Sequence, residues 1–236
     1  MMHFDVIAFD ADDTLWHSEC FYQDSQSALA TLLAAYGVSR QTTLDILHRI
    51  EIANLASFGF GIKGFTISMV ETAIEATSGQ VNTADIKAII DLGRAMTGHE
   101  LRLLEESAET VARLAESHRL MVITKGDLMD QERKIAASGL AMYFWQVEII
   151  SDKKPEIYTA LLKKYNLNHA RFLMVGNSMR SDILPVLEIG GWAVYISYEL
   201  TWAHENSAPP AANRRFYEID HLGLLPKLIA KIETGA

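Results

Sequence analysis

Short apolar runs alternate with helix-type patterns along most of the chain. We predict strands at Phe4–Phe9, Leu120–Thr124, Val147–Ile150, Phe172–Val175, Ala193–Ile196 and Phe216–Ile219. Between them, apolar residues recur at helical spacing. Because these short strands are mostly apolar and do not alternate between apolar and polar residues, we predict an α/β fold: a doubly wound, Rossmann-like parallel sheet with helices on both faces.

The segment after the first strand has a different pattern, with helical spacing and no convincing strand. Apolar residues indicate helices around 29–36, 67–74 and 86–90, the last with Thr83 as a candidate N-cap. We therefore expect a core formed by residues 1–16 and 99–236, with a helical domain inserted at 17–98.

Composition narrows the class of protein. The 236-residue chain has a net charge of −9 and one cysteine. An acidic chain is a poor match for a nucleic-acid polymer, and a single cysteine excludes an internal disulfide. With no recognisable signal peptide and no apolar stretch near bilayer length, we expect a cytoplasmic protein that does not bind a membrane.

Polar residues follow four of the predicted strands, where an open α/β sheet usually carries its site. They are Asp10, Asp12, Asp13 and Thr14; then Thr124 and Lys125; then Lys154, just before Pro155; and finally Asn177, Ser178 and Asp182.

Each group matches a role in phosphoryl transfer. Of two carboxylates two residues apart, one can attack phosphorus and the other can move a proton. A hydroxyl such as that of Thr124 can hold a phosphoryl oxygen, and a lysine can neutralise it. The oxygens of Asn177 and Asp182 suit a hard cation such as Mg²⁺.

Single motifs of this kind leave simpler interpretations open. Asp10–Asp13 could be a solvated turn, and Lys154 alone would more often be a surface residue. Lys153, its neighbour, competes for the same role. The ordered series of four motifs argues against the simpler interpretations.

Together the motifs DxDxT, hydrophobic-Thr, Lys-Pro and G(D/N)S-x₃-xD resemble those of the haloacid dehalogenase-like (HAD) superfamily, and the insertion resembles its helical C1-type cap. The resemblance implies a nucleophile at Asp10 and a general acid/base at Asp12. It implies that Thr124 holds the phosphoryl group and that Lys154 stabilises both nucleophile and phosphoenzyme. Lys154 is also a candidate substrate-binding residue, as is Lys125 because it lies next to Thr124. The implied Mg²⁺ ligands are Asp10, Asp12 through its backbone carbonyl, Asn177 and Asp182.

Two positions depart from the family pattern. The family usually has Asp where this chain has Asn177, so one negative charge is lost and we expect weaker metal binding. Many relatives have Gly where this chain has Asp13. Asp12 itself favours phosphate substrates, because the similar dehalogenases need no carboxylate at that position.

We therefore expect a Mg²⁺-dependent phosphoric monoester hydrolase, acting on a small phosphorylated metabolite through an aspartyl-phosphate. A phosphomutase, a glycosyltransferase using DxD, and a non-catalytic metabolite-binding relative are the alternatives. The later motifs oppose the glycosyltransferase. The substrate is not determined by the sequence, and the protein is expected to be a monomer or a homodimer.

Overall fold

A computed structural model describes residues 2–235 of the chain. Six parallel strands form one sheet in the order β3-β2-β1-β4-β5-β6. The strands are β1 (Val6–Phe9), β2 (Leu120–Lys125), β3 (Phe144–Ile150), β4 (Phe172–Gly176), β5 (Trp192–Ile196) and β6 (Phe216–Ile219). The predicted parallel α/β sheet is confirmed.

Helices cover both faces of this sheet. They are α5 (Ser107–Ala115), α6 (Leu128–Ala137), α7 (Pro155–Lys164), α8 (Leu184–Glu188) and α9 (Leu225–Thr234). Side chains alternate between faces along a strand. Ile7 and Phe9 of β1 accordingly belong to the cluster that includes α5 and α9, whereas Val6 and Ala8 belong to the cluster that includes α7. Burying each large apolar side chain contributes about 1.5–3 kcal/mol.

The chain divides into two compact units. The first contains the sheet and is built from the chain through Glu19, from Leu101–Lys125 and from Glu132 onward. The second consists of Cys20–Glu100 together with Gly126–Gln131. The expected core and insertion had boundaries at 16/17 and 98/99. A short segment after β2 also belongs to the second unit, which the sequence analysis did not foresee.

The second unit is helical, with α1 (Glu19–Ala34), α2 (Arg40–Phe58), α3 (Ile62–Ala76) and α4 (Thr83–Gly98). Its apolar cluster is centred on Leu29, Leu47, Met69 and Ile89. The expected helices correspond to α1, α3 and α4, but α2 was missed.

The N-cap of α4 was assigned to the wrong residue. Asn82, not Thr83, accepts a hydrogen bond from the backbone N–H of Asp85. Among the described residues, no helix is long and apolar enough to cross a membrane.

Candidate active site

Asp10 lies directly after β1 at the carboxyl end of the sheet. Its backbone N–H donates to the carbonyl of Val175 on β4, at 2.9 Å. Its buried side chain has the Thr14 hydroxyl 3.2 Å from Oδ2, and the same hydroxyl is 3.2 Å from Oδ1 of Asn177. Thr14 therefore connects the first motif to the fourth.

Lys153 supplies the positive charge beside Asp10. Its Nζ is 2.5 Å from Oδ1 of Asp10 and 2.6 Å from Oδ1 of Asp182, and its side chain is 1% exposed. Burial disfavours the ammonium, but the two carboxylates outweigh it and raise the pKa of Lys153 above its ordinary 10.5. The ammonium therefore stays charged at neutral pH.

Lys154, the lysine that we expected here, lies elsewhere. Its side chain is 64% exposed, and its Nζ is 2.8 Å from Oδ2 of Asp152. Lys154 is the N-cap residue of α7 and has an extended backbone. Because successive side chains of an extended segment point in opposite directions, only one of two adjacent lysines can face Asp10. The structure gives that place to Lys153.

Burial dominates the pKa of Asp10. It raises this pKa to about 7, with Lys153 lowering it and Asp182 and Asp12 raising it further. The carboxylates of Asp10, Asp12 and Asp182 repel one another, so an additional positive charge would stabilise their ionised forms.

Asp12 is held by two partners that the sequence analysis did not single out. Lys134, on α6, places Nζ 3.0 Å from Oδ1 and 3.1 Å from Oδ2 of Asp12, and Nε1 of Trp16 donates to Oδ1 at 2.7 Å. The side chain of Lys134 is almost completely buried, whereas that of Asp12 is 26% exposed. Asp12 is thus fixed in orientation and open to solvent. The sequence offered only a weak indication of Lys134, namely its position in the helix that follows β2. The number of residues between Asp12 and this helix follows no fixed pattern, so the contact could not be predicted from spacing.

Asp13 has a structural role. Its φ of 61° is in the left-handed region, which explains why glycine suits this position. Its carboxylate accepts from the backbone N–H groups of Ser18, at 2.8 Å, and Glu19. Burial and then the nearby Asp12 raise the pKa of Asp13 to about 7, partly offset by those hydrogen bonds.

Thr124 and Lys125 end β2, the neighbour of β1, so they reach the same end of the sheet as Asp10. Thr124 is buried. Lys125 places Nζ 2.9 Å from Oγ of Ser181 and 2.7 Å from Oε1 of Glu205. The structure therefore connects Lys125 to the fourth motif.

Glu205 was missed because it lies between β5 and β6, where no helix or strand was predicted. Its Oε2 accepts from the hydroxyls of Ser178 and Ser181, each at 2.5 Å. Burial opposes the carboxylate, but Lys125 and these hydroxyls lower the pKa of Glu205 to about 2. Glu205 is therefore an ionised carboxylate that anchors this loop to the site.

The donor set suits a small hard cation. The carboxylates of Asp10 and Asp182 both contact the ammonium of Lys153. The amide oxygen of Asn177 lies near Asp10, because both are within 3.2 Å of the Thr14 hydroxyl. Gly176 leaves room for the carboxylate of Asp182, since a Cβ at position 176 would lie 2.3 Å from its Oδ2. Carboxylate and amide oxygens are what Mg²⁺ prefers in proteins, so the residues present fit that ion.

Comparison with known proteins identifies the family. A model described as haloacid dehalogenase-like hydrolase matches residues 4–190. The chain belongs to the haloacid dehalogenase-like hydrolase family, which confirms the predicted hydrolase.

Three individual proteins are similar to this chain over different shares of its length. A haloacid dehalogenase-like hydrolase from Xanthomonas campestris shares 36% identity, with a TM-score of 0.87, over 99% of this chain and 94% of its own. A glyceraldehyde 3-phosphate phosphatase from Methanothermobacter thermautotrophicus is 24% identical, over 85% of this chain and 89% of its own. One of the same name from Pyrococcus abyssi is 34% identical over 42% of this chain and 44% of its own.

Proposed function

We propose that the protein is a Mg²⁺-dependent phosphatase that hydrolyses a small phosphate monoester through an aspartyl-phosphate at Asp10. The observation that carries the proposal is the buried carboxylate of Asp10, in contact with the ammonium of Lys153, with Asp12 two residues further on. Two of the named relatives are glyceraldehyde 3-phosphate phosphatases, which supports phosphate monoesters as the substrate class.

In the first half-reaction, a carboxylate oxygen of Asp10 attacks phosphorus as the ester P–O bond breaks. The leaving oxygen takes a proton from Asp12, which is protonated for this step. The orientation that Lys134 and Trp16 impose on Asp12 fixes where that proton is delivered. Thr124 and Lys125, at the end of β2, are proposed to hold the phosphoryl oxygens.

In the second half-reaction, Asp12 takes a proton from water, whose oxygen attacks the phosphorus of the acyl-phosphate. Asp10 leaves as a carboxylate beside Lys153, and phosphate is released.

Asp10, Asn177, Asp182 and the backbone carbonyl of Asp12 are the proposed Mg²⁺ ligands. When bound, the ion supplies positive charge that stabilises the transferring phosphoryl group. Lys153 adds a fixed charge, and the two together offset the repulsion between the carboxylates and a phosphate dianion.

The substrate is proposed to be a small phosphorylated metabolite, with triose phosphates as the first candidates because of the names of the two relatives. The helical unit is proposed to act as the cap that selects among such substrates, as expected for the insertion. A cytoplasmic location remains part of the proposal.

The test measures phosphate release from a panel of phosphorylated metabolites, with and without Mg²⁺, using Asp10→Asn as the control. The proposal expects Mg²⁺-dependent release that disappears in the variant. Release that is equal in the variant would exclude Asp10 as the nucleophile. Transfer of phosphate to a sugar, with none released, would indicate the phosphomutase instead.

A further inference from the structure

A group of side chains of the types that ligate metals lies at the opposite end of the sheet from Asp10. His3 precedes β1, His118 precedes β2, and Glu233 is in the last turn of α9. One ligand atom from each residue lies within 4.8 Å of the other two. At about 3.3 Å per residue of extended chain, His3 is separated from Asp10 by roughly 20 Å.

We propose that His3, His118 and Glu233 form a binding site for a divalent transition-metal ion such as Zn²⁺. Oε1 of Glu233 is 3.0 Å from Nδ1 of His3 and 3.1 Å from Nε2 of His118. Two imidazoles and one carboxylate are a ligand set that Zn²⁺ accepts, with water in the fourth position. Mg²⁺ prefers oxygen ligands, so this site differs in selectivity from the one at Asp10.

The surroundings orient two of the three ligands. Oε1 of Glu233 accepts from the backbone N–H of Phe4 at 2.8 Å, which holds the carboxylate against the start of β1. Nδ1 of His118 is 2.9 Å from the hydroxyl of Ser117. A ligating histidine commonly hydrogen-bonds through its other ring nitrogen, and His118 has such a partner for Nδ1 when Nε2 is the ligand.

Metal binding requires a change of protonation that these contacts permit. Without metal, a proton on Nδ1 of His3 and one on Nε2 of His118 can each be donated to Glu233. With metal, these nitrogens present lone pairs, and the proton of each neutral ring resides on its other nitrogen. The Ser117 hydroxyl can then accept from Nδ1 of His118.

Exposure suits entry of an ion. The side chain of His3 is 54% exposed, whereas those of His118 and Glu233 are 6% and 16% exposed. Two ligands are therefore largely buried in the sheet-containing unit, and the third, His3, lies at the surface, where an ion can reach it. The rings of the two histidines are stacked with centroids 4.7 Å apart, so His3 already lies beside its partners.

The test is calorimetric titration of Zn²⁺ in excess Mg²⁺, which is added to compete with Zn²⁺ for the oxygen ligands of the site proposed at Asp10. Wild type is compared with His3→Ala, Glu233→Gln and the matched control His169→Ala, which removes an exposed histidine outside the group. We expect Zn²⁺ affinity to fall by about tenfold or more in the first two variants and to stay unchanged in the control.

Ring-proton NMR identifies the ligands independently of affinity. The resonances of His3 and His118 should shift on Zn²⁺ addition, and those of His169 should not. Because His3 is exposed, His3→Ala should keep the wild-type circular dichroism, which separates loss of a ligand from loss of the fold. Equal Zn²⁺ affinity in all four proteins, or unshifted His3 and His118 resonances at saturation, would overturn the proposal.

Discussion

Replacing Lys153 and Lys154 one at a time tests which of the two lysines serves the active site. The structure indicates Lys153, whereas the Lys-Pro motif of the sequence indicated Lys154. Lys153 contacts Asp10 at 2.5 Å and Asp182 at 2.6 Å, with 1% of its side chain exposed. In Lys153→Met these two carboxylates lose their shared ammonium. Lys154→Met is the matched control, because that side chain is 64% exposed and pairs with Asp152.

The expected magnitudes differ widely. Loss of one preorganised electrostatic group in an active site lowers kcat by about 10²–10³-fold. Removing one member of a buried ion pair typically costs about 3–5 kcal/mol of stability. Because an exposed ion pair contributes little to stability, Lys154→Met should keep activity within about twofold and unfold like wild type.

The assay is phosphate release at saturating Mg²⁺, combined with denaturant unfolding of each protein. Lys153→Arg serves as a third variant if Lys153→Met does not fold, because it keeps the charge but not the compact ammonium. Large loss in Lys154→Met together with full activity in Lys153→Met would refute the assignment of Lys153.

Three further predictions follow from the other contacts. Lys134→Gln should lower kcat by about tenfold with little change in KM, because Asp12 loses the ammonium that orients it; steady-state kinetics that show an unchanged kcat would contradict this. Asn177→Asp should lower the Mg²⁺ concentration for half-maximal activity by about tenfold, since it adds a negative charge to the donor set; a Mg²⁺ titration with an equal or higher midpoint would count against the proposed ligand role. Glu205 has a pKa lowered from 4.5 to about 2 in the folded state, so its ionisation stabilises the fold by on the order of 3 kcal/mol above pH 4.5, and this contribution is lost as pH falls toward 2. The unfolding free energy of wild type should therefore exceed that of Glu205→Gln at pH 7 and converge with it near pH 2, and a constant difference would argue against an ionised Glu205.

The sequence allowed the sheet and its polar edge to be predicted, because both are encoded locally. Short, mostly apolar runs marked all six strands, and residues at the carboxyl ends of parallel strands necessarily meet at one edge of the sheet. Asp10, Asn177 and Asp182 were named on this basis, and the structure brings them together around Lys153 and Thr14.

Choosing between the two lysines required information that a pattern does not carry. A proline at position 155 favours an extended residue before it, and a shift of one residue in extended chain reverses the side chain. Which lysine faces inward depends on how the segment after β3 meets the rest of the sheet. The Lys-Pro motif alone therefore led to the prediction of Lys154, whereas the structure places Lys153 beside Asp10.

The other omissions have similar causes. Glu205 contacts Lys125 across 80 positions of sequence, from a loop without periodicity. The helix Arg40–Phe58 has mixed composition, but two local signals could have found it: Ser39 accepts from the backbone N–H of Thr42 as an N-cap, and Leu47 and Ile50 are buried at helical spacing.

The central claim, an aspartyl-phosphate at Asp10, is tested most directly by the stereochemistry at phosphorus. A phosphorothioate analogue of the substrate, with two different oxygen isotopes on phosphorus, is hydrolysed in water enriched in the third isotope, so that the thiophosphate released is chiral. Attack by Asp10 followed by attack by water inverts the centre twice, so we expect net retention of configuration. Net inversion would mean a single direct attack by water and would contradict the mechanism.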